Sequence, residues 1–181
     1  MIRHFLRSTV LVPFLLLPAS AVADHHGSDT EPTVREQLLA LEEQCAENAS
    51  AMEARQAERS LYERLGGREG IHAITREIVR LHDQNEALTR IMDGVDRELL
   101  ARRVAQFIIS GTGGPQVYEG RDLVSAHAHL DLTNAHFLAA GGDVMQAMEN
   151  EGCTEDEIEE IVCTLVSLRH KVVMESEREL H

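Results

Sequence analysis

The chain has 181 residues, enough for one domain with short appendages, and 43% of them are hydrophobic, so it can form a packed core. Its formal net charge of -14 excludes nucleic acid and anionic membrane surfaces as expected partners, because both would repel it. Aromatic residues make up only 3% of the chain, so aliphatic side chains, or in part a group that is not protein, must fill the core.

The first residues are typical of a signal peptide. Two arginines precede an apolar run over 9–17, and Ala21-Val22-Ala23 gives the small-x-small pattern that signal peptidase reads. The apolar run is too short to span a bilayer. The sequence therefore predicts that residues 1–23 are a signal peptide, that the mature chain is exported to the periplasm, and that it does not insert into a membrane after cleavage.

Residues 24–59 are predicted to be a polar tail followed by an amphipathic helix. Thr33 and Glu36 form a capping box, and apolar residues then recur at heptad-like spacing from Val34 to Met52. Two interpretations stay open. The helix lies on its own globular domain, or the Val34–Met52 seam forms a homodimer, in which case Cys45 would face its counterpart and form an interchain disulfide.

The cysteines are odd in number: Cys45, Cys153 and Cys163. In an oxidising compartment at least one of them must be free or paired between chains. Cys153 and Cys163 should not pair, because a helix of ten residues would separate them by roughly 15 Å.

From residue 60 onward the pattern changes to a series of short amphipathic helices. Capping boxes begin two of them, at Ser60 and Thr154, and Thr133 caps another. No stretch alternates as a strand would, so the fold is predicted to be all-α. The acidic run over 154–160 is predicted to place carboxylates in a first helical turn and otherwise to form a solvated face. The inward faces of two helices are predicted to consist of Ile71, Ile74, Thr75, Ile78, Val79 and His82, and of Leu100, Val104, Phe107 and Ile108.

Four motifs follow one another in order between residues 61 and 137. Leu61-Tyr62-Glu63-Arg64-Leu65-Gly66-Gly67 resembles the opening of group I truncated haemoglobins, and Gly113-Gly114-Pro115 followed by Tyr118-x-Gly120 resembles the loop before the haem-binding helix of that family. Ala126-His127, with Phe137 ten residues later, resembles the proximal histidine and the start of the next helix. The resemblance covers residues 60–174 and leaves 175–181 as a C-terminal tail.

This resemblance implies a truncated-globin two-over-two helical sandwich, here with an N-terminal helical extension, that encloses haem b (iron protoporphyrin IX). His127 takes the place of the axial iron ligand, and Leu123 lies one turn before it. The chemistry is suitable, because a neutral imidazole offers one ring nitrogen to iron while the other donates to a carbonyl. Cys-x-x-Cys-His is absent, which excludes c-type covalent attachment.

Carried over position by position, the resemblance places apolar residues on the gas-binding side of the haem. Val79 stands where relatives often have Tyr, Met92 where nearly every globin has an aromatic ring, and Leu100 and Val104 where polar side chains such as Gln are common. Without a donor for a polar gas, oxygen should bind weakly and leave fast. Arg103 matches a basic position that reaches a haem propionate. The complete predicted haem pocket is His127, Val79, Met92, Leu100, Arg103, Val104, Phe107 and Leu123.

The expected function is reversible binding of oxygen, nitric oxide or carbon monoxide, for oxygen binding or transport, and the chain is not expected to be an enzyme. A secondary nitric oxide dioxygenase or peroxidase activity would profit from polar distal groups that this chain lacks. The alternative is a haem-free globin-like helical interaction module in which the apolar residues are ordinary core. His82 is interpreted as a satisfied core or haem-edge histidine, with a distal ligand as the alternative.

Overall fold

The structure, a computed structural model, describes residues 32–173. The predicted signal peptide, most of the polar tail and the C-terminal tail lie outside the described residues. Within them the chain is helical and has no strand, which confirms the predicted all-α class. The helices are α1 (Val34–Glu58), α2 (Leu61–Arg64), α3 (Gly67–Gln84), α4 (Thr89–Met92), α5 (Arg97–Gly111), α6 (Leu123–His127), α7 (Asn134–Asn150) and α8 (Glu155–Leu168), with 3-10 turns at Glu86–Leu88 and Arg169–Lys171.

Capping boxes fix where four of these helices begin. Thr33, Ser60, Thr133 and Thr154 each accept a hydrogen bond from the backbone N–H three residues further on, and the side chain at that third position bonds back. All four caps are as the sequence predicts. At the third cap the returning group is the Nδ1 of His136, which accepts from the backbone N–H of Thr133 at 3.1 Å.

Two pairs of helices form the globular part. Helix α3 packs along α5, α7 packs against α8, and α3 joins the two pairs through its contact with α7. This is the predicted two-over-two arrangement. Among the core side chains between the pairs lies a cavity of about 10 Å³, enough for at most one water. The main buried cluster consists of Leu61, Leu65, Ile71, Ile74, Ile78, Ala105, Ile109, Val144, Ala147, Met148, Ile158 and Ile161.

The N-terminal helix α1 lies on the chain's own globular part, against α8 and α7. Leu38 is its one fully buried residue, at 1% exposure, and Asn48 donates a hydrogen bond to Glu159 at 2.6 Å. The first of the two interpretations of this helix is therefore confirmed, while the Val34–Met52 homodimer stays a prediction. None of the helices among residues 32–173, α1 included, is both long and apolar enough to cross a bilayer.

The predicted fate of Cys45 is corrected by the structure. Cys45 forms a disulfide with Cys163 of the same chain, which makes the interchain disulfide wrong. The cause is the position of α1, which brings Cys45 beside α8. Cys153 and Cys163 do not pair, as expected, and Cys153 is the free thiol among the described residues.

The acidic run is also corrected at two positions, Glu159 and Glu160. Glu159 is 19% exposed at its side chain and accepts hydrogen bonds from Asn48 and Arg55. The side chain of Glu160 has no exposed surface and accepts hydrogen bonds from Arg55 at 2.8 Å, Arg64 at 2.6 Å and Gln56 at 2.9 Å. It is a shared buried partner of α1 and α2 rather than part of a solvated face. A buried carboxylate is tolerated here because each of its oxygens accepts a hydrogen bond, and two of the three donors are cationic arginines.

Candidate cofactor site

The predicted metal ligand lies on α6, a helix of five residues. Asp122 caps this helix by accepting from the backbone N–H of Ser125 at 3.0 Å, and hydrogen bonds from Ser125 hold the pKa of the Asp122 carboxyl below its usual range. None of the five residues is fully buried, and Val124 is 56% exposed. Packing stabilises so short and exposed a helix only weakly. A further group that packed against its half-buried side would stabilise it.

The ring of His127 is oriented by its own helix. Nδ1 lies 2.7 Å from the carbonyl oxygen of Leu123, and because a carbonyl only accepts, Nδ1 carries the proton and donates it. In the neutral ring this leaves the lone pair on Nε2, which has no hydrogen-bond partner among residues 32–173. That is the tautomer and the backbone contact that metal-binding histidines commonly have.

Helix α5 presents two alanines and one isoleucine to the core. Its buried residues are Ala101, Ala105 and Ile109, which are 8%, 0% and 0% exposed. The sequence predicted an inward face of larger apolar residues, among them Leu100 and Val104. The buried face lies about one position further along the helix. The physical reason is that alanine lets two helix backbones approach closely, whereas Leu, Val or Phe at the same positions would hold them apart.

The larger apolar residues of α5 form a neighbouring stripe that is only half-buried. Leu100 packs against a second, smaller buried cluster, whereas Val104 and Phe107 belong to neither buried cluster among the described residues. Phe107 meets Tyr118 edge-to-face, with ring centroids 5.4 Å apart. The stripe thus has apolar surface that α3 does not cover.

The predicted residues Val79 and Met92 are brought together. Both are 4% exposed, and with Leu88 and Ala101 they form the smaller buried cluster. Leu100 packs against it, as do Ile91, Ala139 and Ala140. The sequence did not single out Ala139, since a small residue on a helix carries no chemical signal.

Arg103 points along the surface between α5 and the loop that follows. It donates to Gln106 at 2.8 Å and lies 3.5 Å from a carboxylate oxygen of Glu119, which is itself well exposed. Such an exposed pair is weak, so the guanidinium remains available to an anionic group. This is compatible with the propionate contact expected from the resemblance, which stays a prediction.

His82 is satisfied by protein groups. Its Nδ1 donates to Asp143 at 2.8 Å, and the amide of Asn85 donates to both oxygens of the same carboxylate at 3.0 Å. The structure thus favours the core or haem-edge interpretation of His82 over a distal ligand.

Two observations on these residues fit haem. A histidine with a fixed Nδ1–H and an available Nε2 is a suitable iron donor, and the half-buried apolar residues Val104, Phe107 and Leu123 lie outside both buried clusters, where a flat apolar group would complete their packing. Five of the predicted pocket residues, Val79, Met92, Leu100, Val104 and Phe107, offer no side-chain donor to a gas. The assignment of the eight residues to one pocket stays a prediction.

Comparison with known proteins gives matches over most of the chain. The family model described as bacterial-like globin matches residues 60–174. The chain is similar to Group 1 truncated hemoglobin GlbN of Mycolicibacterium paratuberculosis (strain ATCC BAA-968 / K-10), with 24% identity over 113 residues, 62% of this chain and 83% of the relative. It is also similar to the protein of that name from Synechocystis sp. (strain ATCC 27184 / PCC 6803 / Kazusa), with 26% identity over 116 residues, 62% of this chain and 94% of the relative.

Solved structures show the same fold. Truncated hemoglobin from Tetrahymena pyriformis in its Fe(III) form superposes with a TM-score of 0.60 at 22% identity, over 64% of this chain and 98% of that one. The 2/2 hemoglobin from Synechococcus sp. PCC 7002, described in the cyanomet state with covalently attached heme, gives 0.57 at 24% identity, over 62% and 94% of the two chains.

Proposed function

Since the chain belongs to the bacterial-like globin family, we propose that it holds haem b without a covalent link, through His127, and reversibly binds a small gas such as oxygen, carbon monoxide or nitric oxide. The observation that carries the proposal is the hydrogen bond from the Nδ1 of His127 to Leu123, which fixes the ring and leaves Nε2 to the metal. When bound, haem would supply an iron centre with a coordination position for the gas.

The residues of this chain would hold that group in three ways. His127 would hold its iron, the stripe of Leu100, Val104 and Phe107 would pack against it, and Arg103 would approach one of its carboxylates. The stripe would also exclude water from the gas-binding side, since none of its side chains is polar.

The apolar stripe sets the expected ligand preference. A hydrogen bond to a polar gas in a dry pocket contributes roughly 1.5–3 kcal/mol, which is a factor of about 10 to 150 in affinity. Without that donor, oxygen is held weakly and released fast, while carbon monoxide and nitric oxide lose less. Reversible binding is therefore favoured over nitric oxide dioxygenation or peroxidase chemistry, both of which use polar groups next to the reacting gas.

We also propose that the protein works outside the cytoplasm, in the periplasm. The disulfide between Cys45 and Cys163 supports this, because such bonds persist in oxidising compartments and are rare where thiols are kept reduced. The signal-like sequence over residues 1–23 is the independent support.

The test is a titration of the purified protein with hemin, followed by absorption in the Soret region. A saturable band is expected, weakened in His127→Ala and restored by added imidazole. His129→Ala is the matched control, because His129 is exposed and lies two residues further along, and it should leave the band unchanged. A protein that takes up no hemin would leave the haem-free interaction module as the better interpretation. A band in His127→Ala equal to that of the wild type would show that His127 does not hold the iron.

A further inference from the structure

A second cavity lies on the outer side of the contact between α3 and α5. It has a volume of about 520 Å³ and opens to solvent between the two helices. Volumes of this size are typical of sites for small organic ligands. The cavity shares only Val79 with the predicted haem pocket, and the α5 residues that line it, such as Glu98 and Arg102, are not those of the half-buried apolar stripe.

The walls of this groove are basic in a strongly acidic protein. Arg76 and Arg80 of α3 and Arg97 and Arg102 of α5 line it, together with two carboxylates, those of Asp83 and Glu98. The groove therefore carries two net positive charges from its Arg, Asp and Glu side chains, within a chain of net charge -14. A concave surface of one sign concentrates ligands of the opposite sign.

Two of the four arginines are already engaged. Arg80 forms a bidentate ion pair with Glu77, with both N–O distances 2.6 Å. Arg97 contacts Asp83 at 2.6 Å and so neutralises one of the two carboxylates of the groove.

Arg76 and Arg102 are different. Both are exposed, and neither has a hydrogen-bond or ion-pair partner within residues 32–173. They are the two guanidinium groups of the groove that can bind a carboxylate or phosphate without first giving up a protein partner. His72 lines the groove as well and adds a further donor near them.

The floor of the groove is apolar. Val79 and Ala101 line it and are 4% and 8% exposed, so their small visible surface lies at its base. A ligand that fills this space meets hydrocarbon below and charge at the rim. That combination favours an anion with an apolar body over a bare inorganic ion, because only the former removes the floor from water.

We propose that the groove between α3 and α5 binds a small organic anion, with its apolar part on Val79 and Ala101 and its carboxylate or phosphate on Arg76 and Arg102. The proposal does not rest on haem, since none of its argument uses the iron ligand. It does place the anion against residues of the smaller buried cluster, behind the predicted gas-binding side.

The test is calorimetric titration of the full mature chain, saturated with hemin where it binds hemin, with decanoate as the probe. One saturable site is expected, with an affinity that falls as salt is added. In Arg76→Gln/Arg102→Gln the affinity should drop at least tenfold, and Arg76→Lys/Arg102→Lys should recover part of it. Arg90→Gln is the matched control, since Arg90 is equally exposed and lies outside the groove, and it should leave the affinity unchanged.

Three further measurements sharpen the result. Glu98→Gln should tighten decanoate binding a few-fold by removing a carboxylate from the wall, and the methyl signal of Ala101 in NMR spectra should shift on titration. Inorganic phosphate should bind at least tenfold more weakly than decanoate. Absence of saturable binding, equal affinity in the double Gln variant, or phosphate binding as tight as decanoate would each overturn the proposal.

Discussion

Cys45 on α1 and Cys163 on α8 are joined by a disulfide. Their Cα atoms are 5.4 Å apart, and their positions in the sequence differ by 118. A bond that closes so long a loop restricts the unfolded chain strongly, with an expected contribution of about 2–5 kcal/mol to the free energy of unfolding. We therefore expect Cys45→Ser to lower the urea midpoint clearly, by the same amount as reduction of the wild type.

Cys153→Ser is the control for this experiment. Burial, and next the carboxylates of Glu157 and Glu151, raise the pKa of the Cys153 thiol to about 11, so it stays protonated and unreactive at neutral pH. This variant should keep both the wild-type midpoint and its sensitivity to reductant. Equal midpoints for oxidised and reduced wild type would contradict the assigned role of the bond.

Glu160 should make stability depend on pH. Burial alone would raise the pKa of its carboxyl, but hydrogen bonds from Arg64, Arg55 and Gln56 together lower it below the ordinary value of 4.5. Because the folded pKa is the lower one, the stabilisation is complete above about pH 4.5 and is lost as the pH falls through the folded value.

We expect Glu160→Gln to cost about 3 kcal/mol at pH 7, since two arginines lose a buried partner. The loss should shrink at a second, acid pH below the folded pKa of Glu160, where the wild-type carboxylate is itself protonated. Urea unfolding at both pH values measures it, with Glu155→Gln, an exposed carboxylate of the same helix, as the comparison. A loss that does not change between the two pH values would show that the carboxylate charge is not responsible.

Gly114 should not tolerate a side chain. A Cβ placed there would lie 2.6 Å from the ring of Tyr62 and 2.7 Å from the carbonyl oxygen of Ile109. Tyr62 cannot easily move away, because its backbone N–H donates a hydrogen bond of 2.8 Å to the carbonyl oxygen of Thr112. Gly114→Ala should cost about 1–3 kcal/mol in thermal or urea unfolding.

Gly111→Ala gives the matched comparison, since nothing lies within 4 Å of its added Cβ and it ends a helix. It should be neutral or stabilising by up to about 1 kcal/mol. If both variants unfold alike, the crowding around Gly114 has no energetic effect.

A single hydrogen-bond donor added to the proposed gas site should slow the release of oxygen. Val104 is half-buried on α5 and belongs to neither buried cluster, so Gln fits there without displacing core. In the hemin-loaded, reduced protein, Val104→Gln should slow oxygen dissociation by a factor of about 10 to 150, measured by stopped flow. Val166→Gln, at a half-buried position on α8, should leave the rate within twofold.

Local features of the fold follow directly from the sequence. The caps at Thr33, Ser60, Thr133 and Thr154 need only residues within one helical turn, and each is found where it was predicted. The Gly-Gly breaks and apolar periodicities place the helices in the same way, because both depend on near neighbours.

Features that join distant elements do not follow from the sequence. The pairing of Cys45 with Cys163 and the burial of Glu160 both depend on where α1 comes to lie, which a heptad-like pattern leaves open. The buried face of α5 could not be read from hydrophobicity either, because its contact with α3 uses alanines while the stronger apolar signal belongs to a neighbouring stripe.

The close alanine contact between α3 and α5 limits how this protein can evolve. At Ala101 and Ala105 any larger residue would wedge two helices apart, so selection can change neither position without reshaping both surfaces of α5. Variation is left to Leu100, Val104 and Phe107 on one flank and to Glu98 and Arg102 on the other. Residues on the two flanks of α5 can therefore change independently in related proteins, as long as positions 101 and 105 keep small side chains.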